Sequence, residues 1–188
     1  MDNRTLILER AIDLFSTRSY ETVGVRQIAE DAGVTKPTLY HYFGSKQGLI
    51  EEILNDFIAP FIDRAAELMV FSGDVMGVLR ATAEHYRDFA LKHRRQYRLY
   101  KSMTAMPEAS DSFKLSEGLL IRETALFEEL FAAIAEEHGN IGGRYKVYGA
   151  TFKGNVETYV RMVLQDFQYS EEDLLFRLLH QCLHGIFS

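Results

Sequence analysis

Residues 24–43 read GVRQIAEDAGVTKPTLYHYF, and this stretch decides the fold of its end of the chain. Ala29 stands where two helices cross and only a small side chain fits. Gly33, four residues on, stands where the chain must turn sharply, and Val34 and Leu39 supply apolar contacts that fix the second helix against the first. Thr35 is placed to cap that second helix, and Pro37 falls in its first turn, where a missing N–H costs little. The spacing predicts a helix-turn-helix. Leu39 and Phe43 are four apart and face the domain core, which leaves Lys36, Pro37, Thr38, Tyr40 and His41 nearer the outer surface.

Charge singles out the same stretch. From Ala32 to Ile50 there is no Asp or Glu, while Lys36, His41 and Lys46 stand among the hydroxyls of Thr38, Tyr40, Tyr42 and Ser45. Such a face suits phosphates. The segment is not basic as a whole: Arg4, Arg10, Arg18, Arg26, Lys36 and Lys46 are balanced by Asp2, Glu9, Asp13, Glu21, Glu30 and Asp31, so the net charge of −6 lies in residues 47–188. An acidic body weakens unspecific attachment to nucleic acid and still permits a local docking face.

Outward from this motif, the chain of 188 residues, 47% hydrophobic and 26% charged, has the profile of a globular protein and excludes disorder or a collagen-like repeat. Its three prolines and its apolar spacing, as at Leu49/Ile50, Ile53/Leu54, Phe57/Ile58 and Phe61/Ile62, predict an all-α fold of about nine helices. They lie near 3–18, 25–31, 35–43, 46–71, 74–92, 95–105, 110–137, 144–167 and 170–186. Pro60 is expected to bend the fourth, and Ser170 to cap the ninth. The expected division is a helix-turn-helix domain over 1–48 and a larger helical domain over 49–188. One cysteine, Cys182, excludes an intrachain disulfide, and no basic, apolar and small-residue leader opens the chain. The expected compartment is the cytoplasm. No apolar run approaches the roughly 18 residues of a spanning helix.

The stretch ILERAIDLFSTRSYETVGVRQIAEDAGVTKPTLYHYFGSKQGLIEEIL, residues 7–54, resembles the N-terminal region of TetR-family transcriptional regulators in order and spacing, down to TLYHYFGSK. The resemblance implies a homodimeric, all-α, ligand-responsive DNA-binding protein, most members being repressors. It places Arg26, Lys36, Pro37 and Tyr40 where family members touch base edges, and Thr38, His41, Tyr42 and Lys46 where they touch phosphates. Arg26 and Lys36 can donate to guanine O6 and N7, and a good bidentate pair discriminates by about 1–3 kcal/mol. Lys46 opens a helix, a favourable phosphate seat. Plainer roles exist for some of these: Tyr42 as a core aromatic with a wet hydroxyl, His41 as a surface residue, Arg26 as the partner of Glu30 four residues on. Two positions depart from the family pattern, Ser19 where a glycine is frequent and Gly24 where a hydroxyl often caps the second helix; Thr22 is the candidate substitute for that hydroxyl.

The rest of the chain holds no catalytic constellation and no glycine-rich phosphate loop, so neither an enzyme nor a cofactor is expected. His180 and His184 share the i, i+4 spacing of metal-binding helices but lack a glutamate between them, and a polar edge near a helix C-terminus accounts for them as well. Small residues on the eighth helix (Gly149, Ala150, Gly154) and apolar ones on the ninth (Leu175, Leu178, Leu179, Cys182, Leu183, Ile186) predict a dimer interface. By resemblance it is a four-helix bundle presenting two recognition helices to a palindromic operator. The same residues can instead pack within one chain. Phe61, Tyr86, Phe89, Tyr97, Tyr100, Met103, Phe127, Phe152 and Tyr159 are candidate walls of a pocket for a small apolar or aromatic effector, with Arg122 and the adjacent Glu123 as candidate polar anchors or solvated residues. The alternative to an operator-binding repressor is a dimeric small-molecule sensor that does not touch DNA.

Overall fold

The computed structural model describes residues 2–165 and 171–187, with side chains at all of these but 140, 171, 172 and 184–187. Nine helices occur among them and no strand. They are α1 (Asn3–Thr17), α2 (Val25–Asp31), α3 (Lys36–Phe43), α4 (46–68), α5 (Val75–Lys92), α6 (Arg94–Thr104), α7 (Asp111–Glu137), α8 (Tyr145–Leu164) and α9 (Glu171–Phe187), with a single 3-10 turn at Gly139–Ile141. Every helix predicted from periodicity is present. The expected Ser170 cap lies outside the described residues.

Helix α4 runs Lys46–Ile53, then a π turn at Leu54–Ile58, then Ala59–Leu68 without a break. Proline cannot donate to the carbonyl four residues back and crowds it. The wider turn just before Pro60, in which the Ala59 N–H donates to the Leu54 carbonyl five residues back, lets the helix pass this point. The turn type thus changes immediately before Pro60, where a bend was expected.

Two compact units divide the chain, one of residues 1–61 and 93–120, the other of 62–92 and 121–188. They do not follow the expected boundary at 48, because α4 is continuous through that residue and α6 returns to pack on α1 and on the π turn. In the first unit α1, with its buried stripe of Ile7, Ala11 and Phe15, packs on α2, α3 and α4, whose Ile28, Leu39 and Leu49 are also fully buried. Full burial of each large member contributes about 1.5–3 kcal/mol.

In the second unit α5 packs on α8, and α9 packs on both. Its core is aromatic: the Tyr86 and Phe127 rings meet edge-on at 5.8 Å, Phe127 and Phe152 lie 6.0 Å apart, and Phe131 and Phe152 5.8 Å. Gly149 lets α8 cross α7 at close range, since a Cβ there would stand 2.7 Å from the Phe127 carbonyl oxygen. That neighbour is backbone and cannot rotate away, so Gly149→Ala is expected to cost about 1–3 kcal/mol as overpacking. A fall in the thermal unfolding midpoint checks this; an unchanged midpoint counts against the close crossing.

Candidate nucleic-acid interface

The α2–α3 turn is built as its residues demand. Gly33 has φ +67°, a left-handed conformation open to glycine at little cost, and the Val34 N–H returns to the Ala29 carbonyl at 2.9 Å. Thr35 caps α3: its Oγ1 accepts the Thr38 N–H at 3.3 Å and lies 2.8 Å from the Thr38 hydroxyl. Gly24 opens α2 with no side-chain cap, and the Thr22 hydroxyl donates to the Ser19 carbonyl at 3.0 Å instead.

Leu39 and Phe43 are buried as their spacing requires, which turns Lys36, Pro37, Tyr40 and His41 outward into solvent, with Thr38 half-buried beside them. Tyr40 is 46% exposed and Tyr42 41%, so Tyr42 is a surface aromatic, edge-on to His41 at 5.4 Å, and not a core residue with a wet tip. Arg26 is exposed on α2 and its Nε donates to Glu30 at 2.7 Å. That hydrogen bond and the Glu30 charge raise its pKa further above the ordinary arginine value. An exposed pair one helical turn apart holds weakly and is readily exchanged for another acceptor. Arg26, Lys36, Val34 and Thr35 border a shallow recess between α2 and α3.

Lys46 is seated differently from its neighbours. Ser45 caps α4, accepting the Gly48 N–H at 2.9 Å, and the Lys46 ammonium lies over the Tyr20 ring, 4.0 Å from its centroid. Burial pushes its pKa below the ordinary lysine value, against the opposing charges of Glu21 and Asp111. The Glu21 carboxylate accepts both the Ser112 hydroxyl and the Ser112 N–H, the latter at 3.2 Å. Burial works to raise the Glu21 pKa, and the bonds from Ser112 with the Lys46 charge outweigh it, leaving it below the usual carboxylate value. Sequence reasoning missed this seat because Ser112 lies 91 residues beyond Glu21.

The expected pocket residues divide between the units. Phe61, Tyr97, Tyr100 and Met103 are buried in the first; Tyr86, Phe127, Phe152 and Tyr159 are buried in the second, where Phe89 is half-buried. Arg122 is exposed and paired with Asp63, whereas its neighbour Glu123 is fully buried with Lys153 Nζ at 3.4 Å, and Lys153 also donates to Thr124 Oγ1 at 3.0 Å. Of the two adjacent charges, the structure puts Glu123 inside and Arg122 outside. Among the described residues no group of three or more His, Cys, Asp or Glu is placed to hold a metal ion; His180 stacks on Phe176 at 5.6 Å, and the His184 side chain lies outside the described residues.

The expected interface residues point two ways. Gly149, Leu175, Leu179 and Cys182 are buried against their own chain, so the close approach that Gly149 permits is the α8–α7 crossing within the chain. Ala150 and Gly154 are exposed, Leu178 and Leu183 half-buried, and the Ile186 side chain lies outside the described residues. A groove of about 530 Å³ runs between α8 and α9, lined by Val147, Thr151, Thr158, Met162 and Leu178, with Cys182 at its base. Burial raises the Cys182 thiol pKa, partly offset by a hydrogen bond with Asn155. On α8 and α9, Val147 and Phe176, 64% and 52% exposed, are large apolar side chains that the sequence reading passed over. Among the described residues no helix is long and apolar enough to cross a membrane.

Residues 7–53 match the sequence profile of the bacterial regulatory proteins, tetR family. The HTH-type transcriptional repressor KstR2 of Rhodococcus jostii is 35% identical over 78 residues, which are 42% of this chain and 38% of that protein. The HTH-type transcriptional activator FasR of Mycolicibacterium smegmatis is 32% identical over 98 residues, 52% of this chain and 45% of that one. The chain thus aligns with less than half the length of these two relatives. The solved structure of the ketosteroid transcriptional regulator KstR2 of Mycobacterium tuberculosis superposes with a TM-score of 0.74 over 98% of this chain and 95% of that one, at 19% identity, a likeness of fold. Over residues 7–53, the chain is similar to the tetR family of bacterial regulatory proteins.

Proposed function

We propose that the protein is a ligand-responsive transcriptional repressor that binds a palindromic operator as a homodimer and is released by a small apolar or aromatic effector. The observation that carries this is the face of α3: Leu39 and Phe43 anchor the helix, and Lys36, Pro37, Tyr40 and His41 stand outward with no carboxylate from residue 32 to 50. A helix so presented fits the major groove, with Arg26, Lys36, Pro37 and Tyr40 toward base edges and Thr38, His41, Tyr42 and Lys46 toward phosphates. The relatives named above are transcription regulators and not enzymes, which supports the reading, as does the repressor among them.

The half-exposed apolar face of α8 and α9, with Val147, Leu178 and Phe176, is the surface on which two copies pair, giving two recognition helices related by a two-fold axis. The aromatic core of the second unit supplies the apolar environment for the effector. An effector that binds one arrangement of the dimer better shifts the population away from the half-site spacing of the operator, and α4, reaching from Lys46 to residue 68, is the mechanical link. The protein works in the cytoplasm, where its operator is.

Selection from random duplex DNA at two salt concentrations tests the reading, because specific complexes survive salt better than phosphate-only attachment. Enrichment of a two-fold symmetric site is the expected result. Folded, dimeric protein that enriches nothing overturns it in favour of a sensor that does not bind DNA.

A further inference from the structure

Glu21 sits in the turn between α1 and α2, outside every residue group that the DNA-binding reading uses. Its carboxylate nevertheless has two fixed donors, the N–H and the hydroxyl of Ser112, whose side chain is buried in the first turn of α7. That turn already has a local cap, Ser110, whose Oγ accepts the Phe113 N–H at 3.2 Å. A second cap brought from 91 residues away holds Glu21 in place. A carboxylate at the positive end of a helix is favoured there, so the position is stable.

The same turn carries Tyr20, buried and packed on Phe15 with ring centroids 5.4 Å apart, and the Lys46 ammonium lies over that Tyr20 ring. Tyr20 fixes where the charge of Lys46 rests, and Ser112 fixes the carboxylate next in sequence to Tyr20. Lys46 is the first residue of α4, directly after the recognition helix and its Gly44–Ser45 turn. Its ammonium rests on the ring of the residue next to Glu21, and the charges of Glu21 and Asp111 both act on it; of these two, Glu21 is the one held by Ser112.

We propose that Glu21 is a positioning residue for DNA binding: held by Ser112 at the start of α7, it sets how much of the Lys46 charge is offered to an operator phosphate. The proposal rests on the reading of the first unit as a DNA-binding unit.

The test uses the full chain and the duplex recovered by selection, titrated by fluorescence anisotropy over a series of salt concentrations. Glu21→Gln keeps an acceptor for Ser112 and removes only the charge. It is expected to tighten binding about three- to tenfold at low salt and to steepen the dependence of affinity on salt by up to about one released counterion. In a Lys46→Met background the same substitution is expected to change neither quantity. Ser112→Ala, which removes the hydroxyl donor and leaves the N–H, loosens the hold on the carboxylate and is expected to tighten binding in the same direction by a smaller factor. Equal affinities of wild type and Glu21→Gln overturn the proposal, as does a gain that persists without Lys46 or a Ser112→Ala variant that binds like wild type. Wild-type protein that binds no duplex overturns the DNA-binding reading itself.

Discussion

Replacing Lys36 and Tyr40 together by alanine lowers affinity for the selected duplex by at least about a hundredfold, from two contacts of about 1–3 kcal/mol each in both half-sites. The thermal unfolding midpoint stays near that of wild type. The separation of the two effects follows from the α3 side chains: Leu39 is fully buried and Phe43 nearly so, while Lys36 and Tyr40 are exposed. In a dimer each operator half-site loses both contacts, so the hundredfold figure is a lower bound. Anisotropy titration measures the affinity, and a circular-dichroism melt shows that the helices persist. A variant that melts like wild type and binds the duplex equally well would place the interface elsewhere. Lys36→Ala alone separates the roles further, since a phosphate contact weakens all duplexes alike and reduces the salt dependence by about one counterion, whereas a base contact relaxes the sequence preference at one position.

The second large effect lies in the other unit and concerns stability. Glu123 has no solvent exposure and its partner Lys153 very little, with Nζ and carboxylate 3.4 Å apart and Lys153 also donating to Thr124. Removing Lys153 takes a charged partner from a carboxylate in a medium that solvates charge poorly, so Lys153→Met is expected to cost up to about 3–5 kcal/mol. The pair as a whole adds little, because bringing both charges out of water offsets most of their attraction. The double variant Glu123→Gln, Lys153→Met is therefore expected to be more stable than Lys153→Met alone. Chemical denaturation of the three proteins checks this. A Lys153→Met protein as stable as wild type would mean that the carboxylate is satisfied without the lysine.

Comparison of sequence and structure at particular residues shows how far each reaches. The helix-turn-helix was legible because its determinants are local: Ala29, Gly33, Val34, Thr35 and Leu39 lie within eleven positions, and each acts on a neighbour one or two helical turns away. The nine helices were legible for the same reason, since a stripe of period 3.6 is written along one element. The effector region was legible only in composition. Its aromatic residues are buried as their type suggests, yet their distribution over two units followed no pattern along the chain.

By itself, then, the sequence determined an all-α chain, the position of its helices, the turn at Gly33, the cap at Thr35 and the outward face of α3, all set by backbone conformation and periodicity over a few residues. Only the tertiary structure decided between residues that are neighbours in sequence and differ in their surroundings. Glu123 is inside and Arg122 outside because Lys153 of another helix meets one and Asp63 the other. Gly149 is held in an α7 crossing and Gly154 is exposed because the backbone of Phe127 approaches only the first. Lys46, an ordinary helix-opening lysine in sequence, is tied to Tyr20 and stands near a carboxylate anchored by Ser112. Charge, burial and close approach at these positions depend on which surfaces meet when distant helices pack, and no local pattern encodes that choice.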